Sequence, residues 1–279
     1  MLFRSTTELE EIFSKFQPEI VVHLAAQAGV RLNAADYTSS NLDGFFSLWT
    51  LSLKHQVQSF VFASSSSVYG DYASLPFKET ENKLVPSSYY GFTKLLNEKF
   101  VESMVRGSDI RARALRFFTV YGPWGRPDMA YFRLLDAAIN SNKFTLYGDG
   151  KIERDFTYID DVAIVASNLI EQVADMPGGN FDYVNIGGEA PVSIEKIVQE
   201  IQKQTGKSIE ISKVARNPMD AQRTMASRDY ATKLVGSHNY LSIETGISRL
   251  VEWGERANTS SKLTEWVSSV QGMSFPGRT

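Results

Sequence analysis

Cysteine is missing from this chain of 279 residues, which removes disulfide frameworks and thiolate chemistry and fits a reducing compartment. Histidine is nearly missing too. His23, His55 and His238 are scattered without ligand spacing, so no catalytic transition-metal site is expected. There is no lysine- or arginine-rich run, and the net charge is only −3; nothing suggests a grip on a nucleic-acid backbone, and any anion bound should be small. No apolar run reaches membrane-spanning length, and residues 1 to 17 lack the basic start and apolar stretch of a secretion signal. These absences together describe a cytoplasmic protein without a membrane or nucleic-acid partner. What is present, 43% hydrophobic and 22% charged residues with dense aromatics, suffices for a large core and two lobes.

The apolar residues are patterned. "TTELEEIFSKF" places Leu9, Ile12, Phe13 and Phe16 at helical spacing behind a hydroxyl cap at Thr6 or Thr7. "PEIVVHLAA" (18 to 26) is a short continuous apolar run, as expected for a strand covered on both faces of a parallel sheet. A helix from about 40 to 55, a strand at 59 to 64, a helix from about 89 to 105 and a strand at 112 to 119 follow. Strand and helix alternating at short intervals predict an α/β fold with a doubly wound parallel sheet.

Beyond residue 120 the pattern predicts a smaller α/β lobe over 121 to 279, with some elements returning to the first lobe. Its expected pieces are a helix at 129 to 141, a strand near 144 to 147, and a helix in "RDFTYIDDVAIVASNLIEQV" capped by Asp160 or Asp161. The strand "FDYVNIGG", a helix at 193 to 204 capped by Ser193 and stopped by Gly206, the strand "IEIS" and a last helix from about 243 to 255 complete it. One feature is out of place: a buried strand preceded by a helix requires another strand ahead of that helix, yet the sequence starts at Met1.

Ligands of an open parallel sheet bind beyond the carboxyl ends of its strands, and "FVFASSSSVYG" puts Ser64, Ser65, Ser66 and Ser67 at such an end. Further on, "SSYYGFTKLLNEKF" holds Tyr90 and Lys94 four apart, on one helical face. An ammonium beside a phenol favours the phenolate, which can then take and return protons. Tyr147 and Lys151 share the spacing, but "YGDGK" between them is a turn. Taken alone, a polar loop after a strand and a snorkelling lysine account for the same residues.

Taken together, "VVHLAAQAGVR", "SSSSVYG", "SSYYGFTK", "RFFTVYGPWGRPDM" and "RDFTYIDD" resemble, in order and spacing, the extended short-chain dehydrogenase/reductase family. Within it they look like the nucleotide-sugar 4-epimerases, most of all those acting on UDP-glucuronate. The resemblance covers nearly the whole chain and implies a Rossmann-like sheet, NAD as cofactor and a UDP-sugar as substrate. It also implies a mechanism in which the Tyr90 phenolate removes the proton from the sugar 4-hydroxyl while hydride leaves C4 for the nicotinamide. The 4-keto sugar then turns over and is reduced on its other face. In this resemblance Lys94 depresses the Tyr90 pKa and holds the nicotinamide ribose, Ser65 bonds the reacting oxygen, and Ser67 orients the sugar.

The same resemblance assigns Leu24, Ala25, Ala26, Gln27, Ala63, Ser64 and Phe118 to the cofactor, with Asn41 supporting the strand end beside it. It assigns Ser66, Thr119, Arg126, Arg154, Arg216 and Asp220 to the substrate, Arg223 being an alternative to Arg216, and no metal. Read singly, Asn41 is a plausible helix cap, and the arginines are surface charges whose forks suit phosphate oxygens. Dehydrating and decarboxylating relatives carry acids within the serine stretch, and here all four positions are serine. An epimerase acting on glucuronate must avoid losing carbon dioxide from a β-keto acid, and neutral hydroxyls suit that need.

One departure from the family is large. The expected strand, Gly-x-x-Gly-x-x-Gly turn and helix that hold the pyrophosphate, on the order of 60 residues, are not in this sequence. The expectation is therefore an epimerase's catalytic apparatus with little or no turnover, in a truncated form, and with exposed apolar sheet surface. A non-catalytic nucleotide-sugar binder and an epimerase for another sugar, such as UDP-glucose/galactose, are the competing readings. The apolar helices carrying "FFSLWTLSLKHQ" and "YYGFTKLLNEKFVESMV" point to a homodimer, or else to two-sided core helices.

Overall fold

The computed structural model describes residues 6–28, 34–215 and 221–259. Its elements in chain order are α1 (Thr6–Phe16), β1 (Ile20–His23), α2 (Ala34–Tyr37), α3 (Gly44–Lys54), β2 (Ser59–Ser65), α4 (Tyr89–Met104), β3 (Arg111–Phe117) and β4 (Thr119–Tyr121). Then come α5 (Ala130–Asn140), β5 (Phe144–Tyr147), β6 (Glu153–Tyr158), α6 (Ile159–Gln172), β7 (Phe181–Ile186) and β8 (Pro191–Ser193). The last are α7 (Ile194–Thr205), β9 (Ile211–Val214), α8 (Asp229–Val235) and α9 (Ile243–Thr259).

The chain divides into two compact units. The first comprises the described residues up to Phe117 with Ile164–Ile186 and Ser227–Ser237. Its four strands run parallel in the order β1-β2-β3-β7. Phe60, Val61 and Phe62 of β2 are fully buried, as a strand covered on both faces must be. Phe45 of α3 meets the rings of Phe60 and Phe62 edge-on at 5.7 and 5.0 Å, and Leu9 and Phe13 of α1 join that core. A π-helical stretch, Thr38–Asp43, connects α2 to α3, so the helical region begins at Ala34 rather than near residue 40.

Among the described residues, β1 meets the expectation of exposed apolar sheet surface and not that of a strand covered on both faces. It is shorter than the apolar run and, among the described residues, pairs only with β2, at the sheet's edge. Ile20 and Val22 are each 40% exposed and Leu24 is 54% exposed, so the strand is not covered on both faces.

The second unit comprises Phe118–Ala163, Gly187–Ala226 and the described residues from His238. It holds a three-stranded sheet, β4-β6-β8, and the parallel pair β5-β9. The predicted strand at 112 to 119 is broken at Phe118, because β3 pairs with β2 and β7 while β4 pairs with β6. Tyr121, Phe132, Leu135, Ile197, Ile201 and Leu250 are among its core residues. Ser193 caps α7 by accepting from Lys196 N, and Gly206 ends it in the left-handed region at φ 67°, both as expected. Tyr147 and Lys151 flank a turn through Gly148 and Gly150, both at positive φ. Asp160 and Asp161 lie inside the first turn of α6 rather than capping it. The Asp161 carboxylate instead accepts from Leu241 N and lies 2.8 Å from His238 Nε2.

Candidate active site

At its carboxyl end β2 runs into a single 3-10 turn, Ser66–Val68. Ser65 is extended, with φ −157° and ψ 149°, and its Oγ caps that turn by accepting from Ser67 N at 3.1 Å. The same hydroxyl donates to Ser67 Oγ at 3.1 Å. The four serines are therefore not equivalent. Ser64 is buried, its hydroxyl committed to Glu98 Oε1 at 2.5 Å, whereas Ser66 and Ser67 are half-buried on the turn.

α4 starts opposite this turn. Ser88 is its N-cap and accepts from Gly91 N at 3.1 Å. One turn separates Tyr90 from Lys94, so both side chains lie on one face, and Lys94 Nζ is 5.8 Å from the centre of the Tyr90 ring. Lys94 is 3% exposed and donates to the Ala63 carbonyl at 2.8 Å. Burial lowers its pKa to about 8, with Glu98 acting in the opposite sense. The side chain thus stays largely cationic near neutrality yet can release its proton close by. Gly91 lets α4 approach the serine turn, since a Cβ there would stand 2.6 Å from the Ser67 carbonyl oxygen.

The chain leaves β1 through Leu24, Ala25, Ala26 and Gln27, the first two exposed and the others half-buried. Asn41, in the π-helical stretch and 1% exposed, holds that segment at Gln27. Its Oδ1 accepts from Gln27 N at 2.8 Å, and its Nδ2 donates to Gln27 O at 3.0 Å and to Thr93 Oγ1 at 3.2 Å. Thr93 donates in turn to the Tyr90 carbonyl at 2.8 Å. Asn41 is thus a tie between the β1 exit and the turn of α4 that carries Tyr90, not a helix cap.

The first unit therefore gathers Ala63, Ser64, Ser65, Ser66, Ser67, Tyr90, Lys94, Asn41 and Gln27 around the carboxyl ends of β1 and β2. Phe118, Thr119, Arg126 and Arg154 belong to the second unit. There Phe118 is buried, and the Arg126 fork is engaged by Asp128, Nε donating to Oδ1 at 3.0 Å. Arg154 donates to the Glu153 carbonyl at 3.0 Å, and Arg223 pairs with the Glu153 carboxylate at 3.0 Å. Arg216 and Asp220 lie outside the described residues. Among the described residues no cluster of histidine and acid side chains is arranged to hold a metal, and no helix is long and apolar enough to cross a membrane.

Sequence reasoning missed Glu98, Arg116, Asn185 and Gly91. Glu98 had a readable signal, because it follows Lys94 by the same interval as Lys94 follows Tyr90. Its partner Arg116 had none, being 18 residues distant on β3.

Comparison with known proteins matches residues 3–187 to the model of the NAD dependent epimerase/dehydratase family. A probable UDP-glucuronate 4-epimerase of Rhizobium meliloti is 36% identical over 254 residues, 85% of this chain and 74% of that protein. The UDP-glucuronic acid 4-epimerase of Bacillus cereus, solved with UDP-glucuronic acid and NAD, superposes with a TM-score of 0.79 at 30% identity, covering 89% of this chain and 78% of that one. The UDP-glucose 4-epimerase of Thermotoga maritima, solved with UDP-glucose, gives 0.85 at 27% identity, covering 92% and 84%.

Proposed function

The chain belongs to the NAD dependent epimerase/dehydratase family, and from that premise we propose that it is built to invert C4 of UDP-glucuronate, giving UDP-galacturonate. The observation that carries this reading is the acid-free serine turn beside Tyr90 and Lys94. A phenol and an ammonium share one face of α4, the helix packs directly on Ser67, and the hydroxyls of Ser65 and Ser67 are joined to one another. The Rhizobium meliloti and Bacillus cereus relatives carry the same substrate in their names.

The residues fit the nicotinamide end of NAD. Small side chains at Ala25 and Ala26 permit close approach, and the Lys94 ammonium at the mouth of the parallel sheet suits a ribose hydroxyl. NAD held there would supply a hydride acceptor and donor for C4 of the sugar. The chain's own residues do the rest. Tyr90 exchanges a proton with the sugar 4-oxygen, and Lys94 favours its phenolate through charge. Ser65 bonds the same oxygen, and Ser66 and Ser67 offer neutral hydroxyls to the sugar carboxylate, so that no added acid or base promotes loss of carbon dioxide. Leu53, Phe92 and Met104 on α3 and α4 are exposed, which supports a homodimer through these helices.

The test is chromatographic product analysis of UDP-glucuronate incubated with the chain and NAD, with calorimetric titration of each ligand in parallel. UDP-galacturonate formed by the wild type, and reduced by about 10²-fold or more in Tyr90→Phe, supports the proposal. UDP-xylose as the product overturns the reading of the serines, and turnover of UDP-glucose alone overturns the choice of sugar. Binding of UDP-glucuronate without NAD marks the chain as a non-catalytic nucleotide-sugar binder.

A further inference from the structure

Tyr90, Lys94 and Glu98 recur at four-residue intervals and form one stripe along α4. Two rungs of that stripe are keyed to the end of β2, Lys94 to the Ala63 carbonyl at 2.8 Å and Glu98 to the Ser64 hydroxyl at 2.5 Å. Arg116, the register partner of Ser64 on β3, closes a fork on Glu98, with Nε to Oε1 at 2.9 Å and Nη2 to Oε2 at 2.8 Å. Its Nη1 donates to the Tyr69 hydroxyl at 3.0 Å, and that hydroxyl donates to Asn185 Oδ1 on β7 at 2.8 Å. The guanidinium also lies 4.9 Å and 4.3 Å from the ring centres of Tyr69 and Tyr183. Glu98 and Arg116 are both 0% exposed.

Packing alone does not require charge here. An apolar pair of similar volume holds a helix on a sheet at least as well as a buried ion pair, which must overcome the desolvation of both ions. The placement of the charges gives a reason. The Glu98–Arg116 pair is neutral as a whole, but its carboxylate is the member carried on α4, one turn from Lys94 and on the face that also carries Tyr90. The groups facing Lys94 are Tyr90 and Glu98 on its own helix and His23 at the end of β1, with Arg116 on β3 reaching it through Glu98. Burial keeps His23 neutral near neutral pH, which leaves Glu98 to offset the burial of the ammonium.

We propose that Glu98, gripped by the Arg116 fork, is a positioning residue that keeps Lys94 protonated beside Tyr90 and locks the register of α4 on β2. The inference rests on the reading of Tyr90 and Lys94 as the acid–base pair. Its test needs neither sugar nor cofactor, so a failure of epimerisation and a failure of this inference are told apart.

The measurement is the pH titration of the Lys94 side chain by NMR of isotope-labelled lysine, the resonance being assigned by its loss in Lys94→Met. Glu98→Gln, which keeps the shape and removes the charge, is expected to lower the Lys94 midpoint by about one pH unit or more. Glu98→Asp, which keeps the charge, is expected to restore most of the wild-type midpoint. Because Glu98→Gln leaves the Arg116 charge buried without its counter-ion, the apolar pair Glu98→Leu/Arg116→Met is measured beside it. That variant is expected to fold and to show the lowered midpoint. A Lys94 midpoint unchanged in the folded Gln variant, or in the folded apolar pair, overturns the proposal.

Discussion

Replacing Gly91 by alanine sets two effects of known sign against each other. In the first turn of α4, alanine is the better helix former by up to about 1 kcal/mol, so a helix judged alone gains stability. The tertiary contact predicts the reverse. The added Cβ would lie 2.6 Å from the Ser67 carbonyl oxygen and 3.1 Å from both Ser67 Cβ and Pro86 Cβ. A carbon and an oxygen sit comfortably at about 3.3 Å, so the serine turn must retreat by about 0.7 Å, against backbone that cannot swing aside. Overpacking of this kind costs about 1–3 kcal/mol, leaving a net loss of about 1 kcal/mol and a fall in Tm of roughly 2 °C. The retreat also carries the linked hydroxyls of Ser65 and Ser67 away from Tyr90, which at such distances costs about tenfold to a hundredfold in turnover. Gly107→Ala is the control, because a methyl there meets nothing within 4 Å and stability should hold or rise slightly. Thermal denaturation followed by circular dichroism, with initial rates on UDP-glucuronate, reads both effects. Gly91→Ala melting at or above the wild-type temperature would refute the close-approach argument.

Two other buried groups yield predictions. His23 stays neutral down to about 4 because burial disfavours its charge and Lys94 repels it, whereas the unfolded side chain takes a proton near 6.5. Between those values the unfolded chain binds more protons, so stability falls as the pH falls through the window. A displacement of that size is worth about 3 kcal/mol; His23→Gln should flatten this part of the stability–pH curve measured in urea, and an unaltered slope excludes His23 as its source. In the second unit Asp155 is 0% exposed; its Oδ2 accepts from Ala226 N at 2.9 Å and its Oδ1 from Gly188 N. Asp155→Asn turns an amide group toward one of these N–H donors, for an expected loss of about 2 kcal/mol. The amides of Gly188 and Ala226 should then exchange hydrogen faster, and unchanged protection of both would show that the carboxylate is dispensable.

Much of this protein is legible in one dimension. Tyr90 and Lys94 fall on one face of a helix because the helix repeat requires it, Ser193 and Gly206 bound α7 for local reasons, and "YGDGK" turns because two glycines accept positive φ. Those outcomes depend on residues a few positions apart, and short-range periodicity and capping encode them directly. The tertiary structure alone decided how the serines divide. Ser64 is drawn to Glu98 34 residues away, leaving Ser65, Ser66 and Ser67 at the turn. It also decided that Arg116 spans from α4 toward β7, that the Arg126 fork goes to Asp128, and that β1 stands at an edge with apolar side chains exposed. Which strand lies beside which is a property of chain topology, and so the partners of buried charge and the cover over an apolar strand are settled only when distant segments meet.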